Sequence, residues 1–349
     1  MNRLPGEYEK QIATVVLFPA RKDVWRDDCA PIRAFMVNLA NIIAEYQLVI
    51  FGVLPELMEF VKENYTFHKN VQLKALEYND CWARDTVSSV ILGGKEKYFT
   101  SFQFNAYGGV LYHPWDADNR LDEAFASQFN YGLKECPLTL EGGNIMPDGN
   151  GTLFCVEDAV VNSNRNPDFT KEQIEEMLKE ATCSKQIVWI PQGLIEDETG
   201  GHIDNVLAFA DQHTILYSWT DDKNNAHYQI VREIEEVLKK ARDVDGNPYK
   251  LIRLPVPDLY QRTTADANGI EEDEGSFARI DGDPVLETYV NFALINGAVI
   301  VPQFGNGELD KQALEIIAKA YPTRKVIPFN GREATLGGGG LHCLTKHIN

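Results

Sequence analysis

The chain has 349 residues, of which 44% are hydrophobic and 24% charged, and its formal net charge at pH 7 is −19. This composition excludes a disordered or fibrous chain and allows one large domain or two ordinary ones. The acidic balance argues against nucleic acid and anionic membranes as partners, and it suits a cationic ligand.

Apolar runs and cysteines indicate the compartment. No run of about 18 apolar residues predicts a transmembrane helix, and the first seven residues do not form a signal peptide, so we expect a cytoplasmic protein. The cysteines are residues 29, 81, 136, 155, 183 and 343. They form no CxxC pair, so we expect free thiols in place of a zinc framework or a disulfide scaffold.

The hydrophobic pattern predicts a recurring order of strand, strand, helix and strand. Before the first full copy, the predicted elements are a strand (13–18), a helix from Pro31, a strand (47–52), a short helix from Pro55 and a strand (71–76). Four copies follow, with helices at 121–129, 170–181, 228–241 and 309–320. Their last strands are predicted at 137–140, 186–190, 251–256 and 325–329.

A strand predicted at 341–345 has no partner unless it pairs with the strand at 13–18. That pairing would complete a fifth copy from both chain ends and close a ring, as radial repeats close a propeller. The alternative is an ordinary α/β sheet with a coincidental rhythm. We therefore predict an α/β fold, a five-bladed α/β propeller closed by its terminal strands, with residues 1–349 as a single catalytic domain.

Reactive side chains follow the last strands of successive copies. Asp80, Glu141 and His202 are spaced 61 residues apart, and Cys343 follows a run of four glycines. Glycines permit close backbone approach to a ligand at a crowded centre. We therefore expect these side chains to point at one axis.

A thiol, an imidazole and several carboxylates at one point specify a narrow chemistry. Cys343 as a thiolate can attack an electrophilic carbon, and His202, held by Glu141, can shuttle protons. The buried negative charges of three carboxylates would need to be neutralised by a planar cation such as a guanidinium; these residues are Asp80, Glu141 and Asp204. If His202 and Asp204 face the same side of a strand, they could instead ligate a metal.

Single motifs also have structural explanations. Asp80 could cap a turn, Trp82 could belong to the core, and Arg84 with Asp85 could form a structural ion pair.

Several segments resemble the motif set of agmatine deiminases, in the bacterial-type peptidylarginine deiminase superfamily. They are Asn79 to Thr86 (NDCWARDT), Leu140 to Asn144 (LEGGN), Thr199 to Asn205 (TGGHIDN) and Gly338 to Cys343 (GGGLHC). The segments at 5–11, 18–19 and 162–167 are also similar. The resemblance runs nearly end to end, and it implies the pentein fold, the five-bladed α/β propeller of guanidine-modifying enzymes.

Carried over by position, the resemblance implies Cys343 as nucleophile, His202 as acid and base, and Glu141 as the partner of that histidine. The substrate-binding residues it implies are Asp80 and Asp204, as guanidinium carboxylates, with Trp82, Arg84, Asp85 and Gly340. The sequence departs from the family in Gly340-Leu341, where Asn-Ile is usual, and in Lys346-His347, where a Gln pair is usual.

The implied activity is hydrolysis of agmatine to N-carbamoylputrescine and ammonia through an amidino thioether on Cys343. No metal or organic cofactor is expected, and the partner is a small cationic guanidino substrate; self-association stays open. An arginine or peptidylarginine deiminase is an alternative. An arginine deiminase would need an Arg or Lys to pair with the α-carboxylate of its substrate, and the only basic residue in the motifs is Arg84. The acidic run at 196–198 instead favours a substrate that ends in an ammonium. The sequence also leaves open an amidinotransferase, a non-catalytic binding propeller and a thiol metal site.

Overall fold

The computed structural model describes residues 2–94 and 96–349. Met1 and Lys95, part of the predicted domain, lie outside the described residues. The chain begins with β1 (Ala13–Leu17), α1 (Ala30–Ala44), β2 (Leu48–Val53), α2 (Met58–Asn64) and β3 (Val71–Ala75). The three strands pair in parallel because a helical crossover joins each to the next.

Sequence patterns explain this first unit. All five residues of β1 are buried, as expected for a strand covered on both faces. Pro31 lies in the first turn of α1, where its missing N–H leaves no bond unmade, and Ile32, Met36 and Ile43 form the buried stripe.

Four further sheets share one order, an antiparallel hairpin followed by a helix and a strand parallel to the second strand of the hairpin. The second unit contains α3 (Ala83–Thr86), β4 (Ser89–Leu92), β5 (Lys97–Gln103), α4 (Ala106–Gly109), α5 (Leu121–Phe129) and β6 (Gly132–Thr139). The third contains β7 (Met146–Pro147), β8 (Thr152–Val156), α6 (Lys171–Thr182) and β9 (Gln186–Ile190).

The fourth unit contains β10 (Leu207–Asp211), β11 (Thr214–Trp219), α7 (Tyr228–Lys240) and β12 (Lys250–Pro255). A small hairpin, β13 (Tyr260–Gln261) and β14 (Pro284–Val285), flanks α8 (Thr264–Ala267) in the segment 258–283, which is rich in Asp and Glu and is called the acidic loop below. The fifth unit contains β15 (Ala293–Ile295), β16 (Ala298–Gln303), α9 (Gly307–Ala320) and β17 (Lys325–Asn330), followed by α10 (Arg332–Thr335) and β18 (Lys346–Ile348).

The two ends of the chain meet in the first sheet. β18 pairs antiparallel with β1, so that Ala13 lies opposite Ile348. The predicted pairing of the terminal strands is confirmed, but the predicted strand at 341–345 is wrong. Leu344 N–H donates to the Gly340 carbonyl at 3.3 Å, so this apolar run forms turns and the strand begins only at Lys346.

Consecutive sheets share apolar cores. Leu138 of β6 and Leu153 of β8 belong to one buried cluster with Leu178 of α6. Phe154 of β8 and Phe209 of β10 belong to the next. Because each cluster draws on two neighbouring units, the molecule is an α/β fold of mixed sheets packed side by side. Within the described residues, no helix is long and apolar enough to cross a membrane.

Candidate active site

Gly143 marks the point where three predicted functional side chains converge. A Cβ at this position would lie 2.6 Å from His202 Nδ1, 2.8 Å from Asp85 Oδ1 and 3.1 Å from Asp204 Oδ2. Since real Cβ atoms do not approach other atoms so closely, glycine is needed here for the three groups to meet. The turns Gly142–Asn144 and Ile203–Asn205, together with α3, supply these residues.

Cys343 places its thiol at the edge of this cluster. The residue is buried, Sγ lies 3.5 Å from Asp204 Oδ2, and Asn291 Nδ2 donates to Sγ at 3.2 Å. Burial raises the pKa of this thiol well above its usual range, and the charges of Asp204 and Asp85 raise it further. In this closed arrangement the sulfur is therefore a protonated thiol.

His202 lies between two carboxylates. Its Nδ1 is 3.8 Å from Asp85 Oδ1 and its Nε2 is 3.5 Å from Glu141 Oε2. Burial alone would lower the pKa of His202, but the two carboxylates outweigh it and raise the pKa to about 9. Neither ring nitrogen has a hydrogen-bond partner among the described residues. The ring is thus a buried imidazolium that lies close to both carboxylates without a regular hydrogen bond to either.

Glu141 is fully buried and held by Arg165. Arg165 Nε donates to Glu141 Oε1 at 2.7 Å and to Oε2 at 3.1 Å, while its Nη2 donates to the Thr199 carbonyl at 2.6 Å. Burial opposes ionisation, yet the charges of Arg165 and His202 keep the pKa of Glu141 below its ordinary value. Glu141 therefore remains ionised beside His202, as expected for its partner.

Asp85 contributes a second face of the cluster. Its Oδ1 accepts from the Gly143 N–H at 2.7 Å and its Oδ2 from the Tyr107 hydroxyl at 3.0 Å. Burial raises the pKa of Asp85 to about 6, against the opposing effect of His202. The structural ion pair considered between Arg84 and Asp85 is absent from these contacts.

Arg84 is engaged elsewhere. Its Nη1 donates to Glu7 Oε1 at 2.6 Å, and its backbone N–H donates to the Cys343 carbonyl at 3.0 Å. Arg84 therefore fixes the thiol loop, and its charge is neutralised by Glu7.

One oxygen of the Asp204 carboxylate is hydrogen-bonded and the other is not. Its Oδ2 accepts from His342 Nδ1 at 2.8 Å, whereas its Oδ1 is buried with no hydrogen-bond partner among the described residues. The strand expected to carry His202 and Asp204 is also wrong: β10 begins only at Leu207, and Asp204 lies in a 3₁₀ turn. The turn still presents both side chains to Gly143.

Asp80 does not join the contacts of this cluster. Its Oδ2 pairs with Arg21 Nη1 at 2.9 Å and its Oδ1 accepts from the Cys81 N–H at 2.7 Å. Arg21 also bonds Asp23 and Ser276, so it links Asp80 to the acidic loop. Asp80 is thus paired with Arg21, whereas Asp85 lies beside Gly143.

The glycine run lets the thiol loop pass between large side chains. A Cβ at Gly339 would lie 2.5 Å from the Trp82 ring, which packs against Trp25 with ring centroids 5.7 Å apart. A Cβ at Gly340 would lie 2.3 Å from Asn291 Oδ1. Trp82 is therefore a buried wall of the loop that carries Cys343.

The acidic run before His202 is engaged within the protein. Asp197 Oδ2 accepts from the His202 N–H at 2.9 Å and from Asn205 Nδ2 at 2.8 Å. Glu198 pairs with Arg279, which also donates to the Gly337 carbonyl. These contacts give the run a structural role around the site. Across residues 2–94 and 96–349, no group of three or more His, Cys, Asp or Glu side chains is arranged to hold a metal.

Sequence reasoning missed four members of the site. Asn291 contacts the thiol, Arg165 holds Glu141, Tyr107 donates to Asp85, and His342 joins Asp204 to Glu7. Arg165 lies in the 162–167 segment, which the resemblance had marked, and His342 adjoins Cys343. Asn291 lies in an apolar stretch (YVNFALI), and nothing in that pattern signalled it.

Comparisons with known proteins cover nearly the whole chain. The profile of the Porphyromonas-type peptidyl-arginine deiminase family matches residues 3–348. A relative from Latilactobacillus sakei, whose name assigns it provisionally as an agmatine deiminase, is 34% identical over 99% of this chain and 95% of its own. The chain therefore belongs to the Porphyromonas-type peptidyl-arginine deiminase family.

Solved structures of agmatine deiminases superpose on nearly the whole chain. Agmatine deiminase of Enterococcus faecalis superposes with a TM-score of 0.94 at 29% identity, over 99% of this chain and 95% of that one. A substrate-bound agmatine deiminase of C. jejuni superposes with a TM-score of 0.84 at 27% identity, over 100% and 96% of the two chains. The resemblance seen in the motifs is confirmed, and the protein is similar throughout its length to agmatine deiminases.

Proposed function

We propose that this protein is a hydrolase that deiminates agmatine, giving N-carbamoylputrescine and ammonia through a covalent intermediate on Cys343. The observation that carries the proposal is a set of buried polar atoms without partners. Asp204 Oδ1 and both ring nitrogens of His202 are unsatisfied within the described residues and lie around Gly143, beside the thiol. Buried polar groups without partners are rare, and here they suit a ligand.

The charges select a guanidinium among ligands. Asp85 and Asp204 flank the point at which a planar cation would sit, and a guanidinium offers several N–H donors in one plane. We infer that these two carboxylates form the clamp, in place of the pair Asp80 and Asp204 implied by the motifs. Arg21 already neutralises Asp80, so its carboxylate is a weaker partner for a second cation.

The reaction begins when the Cys343 thiol is converted to the thiolate. A guanidinium between the carboxylates offsets the anions that disfavour the thiolate, so Cys343 releases its proton to solvent and the thiolate attacks the central carbon. A carbon–sulfur bond forms, and the carbon–nitrogen π pair moves to nitrogen. His202 then donates a proton to one terminal nitrogen, the carbon–nitrogen bond breaks, and ammonia leaves an amidino thioether.

Hydrolysis completes the cycle. His202, now neutral, takes a proton from water as it attacks the thioether carbon, and collapse of this adduct breaks the carbon–sulfur bond. The ureido product leaves, and Cys343 regains its proton. Glu141, held by Arg165, keeps His202 oriented and favours its protonated form in the first half of the cycle.

Agmatine is favoured over arginine because the nearby guanidinium groups are already engaged. Arg84 pairs with Glu7 and Arg21 pairs with Asp80 and Asp23, so neither is free to bind a substrate carboxylate. The test incubates the enzyme with agmatine, arginine and a C-terminal arginyl peptide while ammonia and ureido product are measured. Turnover of agmatine alone supports the proposal, and a preference for arginine or the peptide contradicts it.

We further infer that the five mixed sheets form a five-bladed propeller around the site, as a single catalytic domain in the cytoplasm. The repeated sheet order and the joining of the chain ends in one sheet support that architecture. Small-angle X-ray scattering tests this architecture, because a closed ring of five sheets and one continuous open sheet predict different scattering curves. The molecular mass from the same measurement reports whether the protein forms homo-oligomers.

A further inference from the structure

The two oxygens of the Asp204 carboxylate differ in their surroundings. Oδ2 accepts from His342 Nδ1 at 2.8 Å and lies 3.5 Å from Cys343 Sγ, whereas Oδ1 has no hydrogen-bond partner among the described residues. The carboxylate is thus held by one oxygen and presents the other. A side chain held in this way loses rotational freedom before any substrate arrives.

The group that holds Asp204 is itself held. His342 Nε2 lies 2.8 Å from Glu7 Oε2, so each ring nitrogen of His342 faces a carboxylate oxygen. Two carboxylate acceptors require two N–H donors, which only the imidazolium provides. Glu7 in turn pairs with Arg84 at 2.6 Å, and these charges hold its pKa well below the ordinary range despite burial.

We propose that His342, anchored by Glu7, is a positioning residue for the deimination reaction: its imidazolium orients Asp204 so that Oδ1 is available to the substrate guanidinium. This inference rests on the proposed function. It adds two buried residues, one from each end of the chain, that contact Asp204 or its partner and do not touch the reacting atoms. Burial and Arg84 oppose the charge on His342, yet the carboxylates raise the pKa of its ring.

Among the described residues, His342 is the charged neighbour that forms a hydrogen bond with Asp204. The titratable and charged groups around this pair are Glu7, Arg84, Asp85, His202, Cys343, Lys346 and His347. Arg84 contacts Glu7 and not Asp204 among its bonds. Burial lowers the pKa of His347 to about 3, so this neighbour is neutral.

The test compares two histidines of the same network. His342→Gln removes the cation that bridges Asp204 and Glu7, so the Asp204 carboxylate is free to rotate. KM for agmatine should rise and kcat should fall together, since a misplaced carboxylate weakens both the binding and the alignment of the guanidinium. At neutral pH, kcat/KM should fall by about 10² as the clamp loses its orientation.

His347→Gln is the matched control. His347 also lies in the network, 3.3 Å from Arg84, but it has no contact with Asp204. Its substitution should leave KM and kcat close to those of the wild type. If both variants lower kcat/KM equally, or if KM is unchanged in His342→Gln, the network is only structural and the proposal fails.

Glu7→Gln covers the case in which His342→Gln does not fold. It keeps the shape of the anchor and removes its charge, so it should change KM and kcat in the same directions by smaller amounts. Unchanged kinetic constants in Glu7→Gln overturn the role of the anchor.

A measurement on the resting enzyme separates this inference from the proposed function. Nitrogen NMR of wild-type protein labelled in its histidine rings should show His342 protonated on both nitrogens at neutral pH, assigned by its loss in His342→Gln. A neutral ring overturns the proposal whether or not agmatine is turned over. An imidazolium in an enzyme that does not convert agmatine would leave the positioning network standing and remove the proposed substrate.

Discussion

Asp204→Asn should make Cys343 more reactive in the free enzyme while it abolishes turnover. Two unit charges 3.5 Å apart, the distance from Sγ to Asp204 Oδ2, interact by about 5 kcal/mol at an effective dielectric constant of about 20. That energy corresponds to roughly three pKa units. The His342 imidazolium offsets part of the charge of Asp204, so we expect the thiol pKa to fall by about one to three units in the variant.

The assay is the pH profile of alkylation by iodoacetamide, an uncharged reagent, with the labelled residue mapped by mass spectrometry. Below the pKa, the rate follows the thiolate fraction, so Asp204→Asn should react about 10- to 10³-fold faster than wild type at neutral pH. Mapping separates Cys343 from Cys183, which is partly exposed. Agmatine turnover should be lost in the same variant because the guanidinium clamp has lost a charge.

Asp80→Asn is the matched control for this experiment. Asp80 is a buried aspartate like Asp204, but its charge is paired with Arg21 and is not among the main influences on the Cys343 thiol. Its substitution should leave the alkylation profile unchanged. Alkylation of Asp204→Asn at or below the wild-type rate, or equal acceleration in both variants, would refute the electrostatic account of the thiol.

Three further predictions concern the same cluster. Cys343→Ser should fold normally and lose activity by on the order of 10⁴, checked by circular dichroism and ammonia release; appreciable turnover would end the covalent mechanism. Gly143→Ala would place a Cβ 2.6 Å from His202 Nδ1 and should lower kcat about 10²-fold. Gly307→Ala, whose Cβ would have no atom within 4 Å, should leave kcat unchanged. If kcat of Gly143→Ala equals that of the wild type, the cluster accommodates the methyl group and the prediction is wrong. The pKa of His202 is raised from 6.5 to about 9, so its protonation stabilises the fold by about 3 kcal/mol below pH 6.5, and this stabilisation is lost as the pH rises through 9. The free energies of unfolding of the wild type and His202→Asn, measured in urea, should therefore converge at high pH. A difference between them that does not change with pH would contradict the raised pKa.

Much of the fold could be predicted because most elements have strong local signals. The helix predicted at 121–129 and the strand predicted at 186–190 match α5 and β9 residue for residue. Their hydrophobic patterns are long enough to separate strand from helix. The strand at 341–345 failed because an apolar run near a glycine-rich loop can form turns as readily as a strand.

The site was predicted in outline, and its details depended on turns that sequence did not reveal. The equal spacing of 61 residues favoured Asp80 over Asp85. Asp85 lies in the single helical turn of α3 and accepts a hydrogen bond from Gly143, whereas Asp80 forms an ion pair with Arg21. The anchor at Glu7 was inaccessible to periodicity because its partner, His342, lies 335 residues further along the chain.

The pairing of β18 with β1 has a consequence for biosynthesis. Translation proceeds from the N-terminus, so β1 is made early and its partner strand, with Cys343 three residues before it, is made after all the other sheets. An incomplete chain can acquire Asp85, Glu141 and His202 while still lacking its nucleophile. On this account, catalysis begins only when the final strand docks, and a chain interrupted during synthesis carries no reactive thiol in its cleft.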